Sequence, residues 1–80
     1  MQHSIERAVV EIFQEKREAL KMSQEELSIS ISKSSKTIYR LENNYTTLSF
    51  DLFISLCDVF NLDPSSTIEK AKTTFSPIER

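Results

Sequence analysis

Lys36 and Arg40 stand four residues apart, with Ser34 and Ser35 just ahead of them and Tyr39 between them. Four residues is about one helical turn, so both cations would leave the same face of a helix. An ammonium and a guanidinium side by side can donate to the O6 and N7 acceptors of guanine in a major groove, where serine is a weaker and less selective partner. A tyrosine ring beside them can meet a thymine methyl or a backbone phosphate. The same residues read equally well as the ordinary solvated face of a helix whose other side is in a core. Other chemistry has less to build on. His3 is the sole histidine and sits near a terminus, so metal binding or histidine-dependent catalysis lacks partners. Cys57 falls on an apolar stripe, where a thiol is buried and inert. Without a single glycine the chain has no phosphate-cradling glycine loop. Phe13, Phe53 and Phe60 lie at core spacing, and the five phenylalanines do not lay out a platform for stacking bases. No catalytic residue, metal site or cofactor is expected.

The elements that must position Lys36 and Arg40 are legible on either side of them. Ser23 is followed three residues later by Glu26, the capping-box pattern in which each side chain satisfies a free backbone N–H of the other. Ser34 is a second candidate cap, opening a run with apolar Ile38 and Leu41. Two short helices about three residues apart is the layout of a helix-turn-helix, whose second helix can lie in the major groove of DNA. Helical spacing predicts a first helix over His3 to Lys21, carrying Ile5, Val9, Ile12, Phe13 and Leu20. The second and third are predicted over Gln24 to Ile31 and Ser35 to Asn43. After a polar loop, Ser49 caps a fourth helix reaching Phe60, and Asp63-Pro64 starts a fifth that ends near Thr73, before Pro77. With no glycine available, Asn43-Asn44 and Asn61 fall where helices should stop, because asparagine tolerates positive φ best after glycine. The expected class is all-α, in one compact domain.

Eighty residues suffice for one modest core. No run approaches the roughly 18 apolar residues of a membrane span, and the opening residues lack the pattern of a secretory signal. A single cysteine excludes an internal disulfide and fits a reducing setting, so the expected location is the cytoplasm. The net charge of −2 and pI of about 5.3 differ from the basic balance of many DNA-binding domains. Distribution matters more than the sum. Between Ser32 and Thr47 stand Lys33, Lys36 and Arg40 against Glu42 alone, whereas Leu48 to Glu69 carries acids and no basic residue. Positive charge is thus concentrated at the proposed reading helix.

Several motifs taken together carry a family resemblance. They are Arg17 ahead of Ser23-Gln24-Glu25-Glu26-Leu27, then Ser34 with Thr37-Ile38 and Arg40-Leu41-Glu42, then Ser49-Phe50-Asp51-Leu52-Phe53, and finally Phe60-Asn61-Leu62-Asp63-Pro64. Over about residues 12–64 the chain resembles the phage-repressor helix-turn-helix family, the lambda-repressor/Cro-like five-helix fold also called the xenobiotic-response-element type. The resemblance implies DNA base contacts by Ser35, Lys36, Tyr39 and Arg40. It implies DNA backbone contacts by Gln24, Ser34, Asn43 and Asn44. Arg17 and Glu42 match a structural ion pair joining helix one to the end of helix three; the bland alternative is two unrelated surface charges. The chain departs from the family in its turn, where Ser32 and Lys33 replace a glycine and a small apolar residue. Either the Lys33 stem snorkels or the turn packs differently. Lys21, Asn44 and Asn61 stand where the family has further glycines, and Lys21 is the least suited of them.

The resemblance implies a sequence-specific, double-stranded-DNA-binding transcription regulator of the repressor, controller or antitoxin kind. At this length no separate ligand-sensing domain is expected. Such proteins bind inverted-repeat operators as homodimers, and helix five with the tail, residues 65–80 with Ile68, Ala71 and Phe75, is the expected dimer surface. The alternative is an antitoxin-like protein-interaction module on the same fold, with a protein partner in place of DNA. The state of the Lys36/Arg40 face discriminates them: exposed for DNA, covered or paired with acids for a protein partner.

Overall fold

The computed structural model describes residues 4–75, with side chains through Thr73. His3, Pro77 and the side chain of Phe75 lie outside the described residues, as do the expectations attached to them. The described chain holds five helices: α1 Ile5–Ala19, α2 Gln24–Ser30, α3 Thr37–Glu42, α4 Phe50–Val59 and α5 Pro64–Phe75. α1 is the spine. α5 packs along it, α3 crosses it, α2 pairs with α3, and α4 closes against α5.

Each start has a local cause. Ser4, extended at φ −147, accepts from the Arg7 N–H at 3.0 Å and opens α1. At α2 both halves of the capping box form: the Glu26 N–H donates to Ser23 Oγ at 2.9 Å, and the Ser23 N–H donates to Glu26 Oε1 at 2.8 Å. Ser49 Oγ accepts from the Leu52 N–H at α4. Asp63 Oδ2 accepts from the Ser66 N–H at α5, whose first residue is proline.

The expected start of α3 needs correction. Ser34 does not cap a helix running from Ser35. Its carbonyl accepts from the Thr37 N–H at 3.0 Å and its hydroxyl meets the Thr37 hydroxyl at 3.1 Å, forming a turn over Ser34 to Thr37. The residue at the cap position is Lys36, which makes no side-chain capping bond. Ser35 and Lys36 therefore precede the helix.

The ends of α1, α2, α3 and α4 share one device. Lys21, Ser32, Asn44 and Asn61 all take left-handed backbone, at φ 58, 62, 64 and 57. In each case this residue donates to a carbonyl three back, and the next residue donates to one five back, as when Lys21 bonds Glu18 and Met22 bonds Arg17. This is the Schellman closure, normally made with glycine. The turn between α2 and α3 thus keeps the usual shape without one, and Lys33 leaves its ammonium in solvent. A side chain in this conformation costs about 1–2 kcal/mol, less for asparagine, so Lys21 and Ser32 hold strain.

The core draws on all five helices. Val10, Leu27, Ile38, Leu41 and Leu56 are fully buried, and Phe13 packs with Phe53 and Phe60 at ring separations of 6.0 and 6.1 Å. Burying a side chain of this size contributes about 1.5–3 kcal/mol. Cys57 is buried between α4 and α5. Burial pushes its thiol above the usual range, Asp58 and Asp63 push the same way, and a hydrogen bond with Thr67 opposes them, so no reactive thiolate is poised there. Ala71 is fully buried as well, against the rest of the core. It therefore drops out of the apolar set expected to face a second copy, where Ile68 remains partly exposed.

Candidate nucleic-acid interface

α3 is only six residues long, too short to stand without tertiary support. Three sets of bonds hold it. The first lies at its start, where the Ile38 N–H is one of the donors that no helical carbonyl can reach. Buried Ser28 of α2 accepts it at 3.0 Å and donates its own hydroxyl to the Gln24 carbonyl at 2.9 Å. One hydroxyl thus sets the angle between α2 and α3 and supplies the cap that Lys36 lacks.

The second set closes on Glu42, at the last residue of α3. The Arg17 guanidinium grips its carboxylate at 2.8 and 3.1 Å and also donates to the Met22 carbonyl at 2.8 Å. The Gln24 amide adds a further bond to Glu42 Oε1 at 2.8 Å. Both charged side chains are withdrawn from solvent, at 11% and 5% exposure. A forked, charge-assisted pair of this kind, with its remaining atoms bonded, is stiffer than a surface ion pair.

The third set comes from the start of α1. Arg7 donates to the Glu42 carbonyl at 2.8 Å, to the Leu41 carbonyl at 3.4 Å and to Asn44 Oδ1 at 3.3 Å. It satisfies carbonyls left open at the end of α3, where a cation is also favoured by the helix dipole. Its neighbour Glu6 accepts from the Leu48 N–H at 2.6 Å, pinning the far end of the loop that follows.

Held in this way, α3 presents Tyr39 and Arg40 to solvent, with Ser34, Ser35 and Lys36 on the turn ahead and Asn43 and Asn44 behind, all exposed. Among the described residues none of Lys33, Lys36 and Arg40 has an acidic partner, because Glu42, the one acid in that stretch, is bound to Arg17 and Gln24. Lys36 Nζ lies 5.5 Å from the centre of the Tyr39 ring. Tyr39 in turn lies 6.0 Å from Tyr45, and the Asn43 amide donates to the Tyr39 carbonyl at 2.9 Å. Gln24 differs from the rest of the predicted contacts. It is half-buried, with its amide on Glu42, so it belongs to the support of α3 as much as to the surface. Among the described residues no group of side chains is arranged to hold a metal ion.

The profile of the helix-turn-helix family matches residues 13–66, well over half of the chain. The chain belongs to the lambda-repressor/Cro-like helix-turn-helix family. As a member it is a DNA-binding transcription regulator and not an enzyme. A search of the curated proteins returns no significant match. Among solved structures, this helix-turn-helix protein is similar to the clp gene regulator ClgR from C. glutamicum. The TM-score is 0.79 at 16% identity, over 96% of this chain and 100% of that one. At that identity the likeness is one of fold.

Sequence reasoning did not single out Ser28, Arg7, Glu6 or Tyr45 in this helix-turn-helix domain. Ser28 left one trace, a polar residue inside an otherwise apolar stripe between Leu27 and Ile31. The others left none, since their partners are backbone atoms or lie far along the chain.

Proposed function

We propose that this protein regulates transcription by binding an inverted-repeat operator as a homodimer, with α3 in the major groove. Ser35, Lys36, Tyr39 and Arg40 contact base edges, and Gln24, Ser34, Asn43 and Asn44 contact the sugar-phosphate backbone. The observation that carries this reading is the exposed Lys36/Arg40 face, free of acidic partners among the described residues. It stands on a helix whose other side is tied down by Arg17, Gln24 and Ser28. Rigid support matters because base readout tolerates little misplacement of the donors.

In a two-fold dimer the reading helices would sit about one DNA turn apart, roughly 34 Å. Helix α5 with Ile68 is the proposed contact between copies. The proposed setting is the cytoplasm, in keeping with a single reduced cysteine. Among the described residues no helix is long and apolar enough to cross a membrane. The antitoxin-like alternative calls for a covered or acid-paired Lys36/Arg40 face, and in the single chain it is neither.

Selection of preferred duplexes from a randomised pool, repeated across a salt series, tests the reading. The expected product is a two-fold symmetric site whose affinity falls with salt as phosphate-bound cations are displaced. A dimer by sedimentation at micromolar concentration should accompany it. Enrichment of no sequence at any salt would overturn the proposal.

A further inference from the structure

Tyr45 lies beyond the end of α3, outside the residues assigned above to DNA, and is 70% exposed. An aromatic ring left so open on a loop would ordinarily sample several rotamers. Its backbone is nevertheless fixed. The Tyr45 N–H donates to the Arg40 carbonyl at 2.8 Å, closing the Schellman turn, and the preceding Asn44 holds φ 64 with its side chain on Arg7. From that anchor the ring packs on Tyr39 at 6.0 Å with planes tilted by 59°, within the favourable range for aromatic pairs. Tyr39 then carries the Lys36 ammonium at 5.5 Å, a cation–π distance.

The three side chains form a file running from the end of α3 back over its start: Tyr45, Tyr39, Lys36. Lys36 has no acidic partner and no side-chain hydrogen bond among the described residues, so the Tyr39 ring is the contact that restrains its long side chain. A lysine that is already directed pays less rotamer entropy on meeting a base. Arg40, on α3 itself, has no ring contact of this kind among the described residues and gains no such help.

We infer that Tyr45 is a positioning residue for base readout, orienting Tyr39 and through it Lys36. This rests on the reading of the α3 face as a DNA interface. Tyr45→Ala should relax the base preference at the position that Lys36 reads by about 2- to 12-fold, the factor an aromatic pair of this kind supports. The preference set by Arg40 should stay, and the salt slope should not change, because no charge is lost. Tyr45→Phe keeps the ring and should restore the parental preference.

The experiment is duplex selection with parent, Tyr45→Ala and Tyr45→Phe, alongside proton NMR of the free proteins. Ring-current shifts of the Lys36 side-chain protons are expected in the parent and in Tyr45→Phe, and reduced in Tyr45→Ala. Uniform weakening on all duplexes by both variants would mean that the hydroxyl merely touches a phosphate, and overturns the inference while leaving the DNA reading intact. Parental preference in Tyr45→Ala overturns it likewise. A parent that selects no duplex, even with the Lys36 shifts present, overturns the DNA reading and this inference with it.

Discussion

The two sides of α3 are built on opposite principles. The inward side, with Ile38, Leu41 and Glu42, is buried or nearly so, and its polar atoms are matched to named partners on α1 and α2. The outward side, with Tyr39 and Arg40 and with Lys36 on the turn just ahead, is exposed, and these cations lack acidic partners among the described residues. Satisfied bonds inside make the helix rigid; unsatisfied donors outside make it able to bind. The short stretch from Lys36 to Glu42 therefore serves stability and recognition with little overlap, and substitutions should separate the two.

The largest effect belongs to the inward side. Arg17→Ala leaves the Glu42 carboxylate withdrawn from solvent with the neutral Gln24 amide as its remaining side-chain donor among the described residues. Stability should fall by about 3–5 kcal/mol, the loss typical of stranding one partner of a buried pair. An unchanged denaturation midpoint would show that the pair is no stronger than a surface contact and would blur the contrast. Ser28→Ala comes next. It removes the side-chain acceptor of the Ile38 N–H and should cost about 1–3 kcal/mol, with amide exchange accelerated at Ile38 ahead of the rest of α3.

Outward substitutions should move binding and spare the fold. Lys36→Ala and Arg40→Ala are each expected to relax base preference at one position per half-site by about 1–3 kcal/mol. Their melting temperatures should stay close to the parent's. Gln24 sharpens the comparison because it touches both sides. Gln24→Ala should weaken all duplexes alike, since a phosphate contact carries no sequence information, with little change in salt slope because Gln24 is neutral. It should also lose some stability through its bond to Glu42. Parental site preference in both Lys36→Ala and Arg40→Ala would mean that the reading face has been misassigned.

The smallest effect lies away from α3. Lys21 is left-handed at the end of α1, at φ 58. Lys21→Gly should raise stability by about 1 kcal/mol or slightly less, as relief of the side-chain strain is partly offset by the freer unfolded chain. Asn61→Gly, at the matching end of α4, should gain less. Equal gains at the two sites would argue against strain as the cause.

The number, order and class of the helices were legible from residue pattern and caps, because these signals act within three or four residues. The Ser23–Glu26 box, Ser49, Asp63-Pro64 and the asparagines at helix ends are all of this kind. The start of α3 was misread for a related reason: Ser34 is a good cap by type, but its hydroxyl has Thr37 as a competing partner one turn on. The local rule had no means of choosing between a helix and a preceding turn. That Ile68 stays on the surface while Ala71 is buried was also invisible in the apolar spacing of α5, since only packing against α1 decides which side is covered.

By itself, then, the sequence determined the elements, their apolar faces and the concentration of cations on and just ahead of α3. Tertiary structure alone decided how α3 is held and how its surface is directed. Arg17 reaches across 25 positions to Glu42, Arg7 reaches 35 to the Glu42 carbonyl, and Glu6 reaches 42 to the Leu48 N–H. Side chains separated that widely meet only after the core has brought their helices together, and a backbone carbonyl carries no residue identity by which a sequence could announce it.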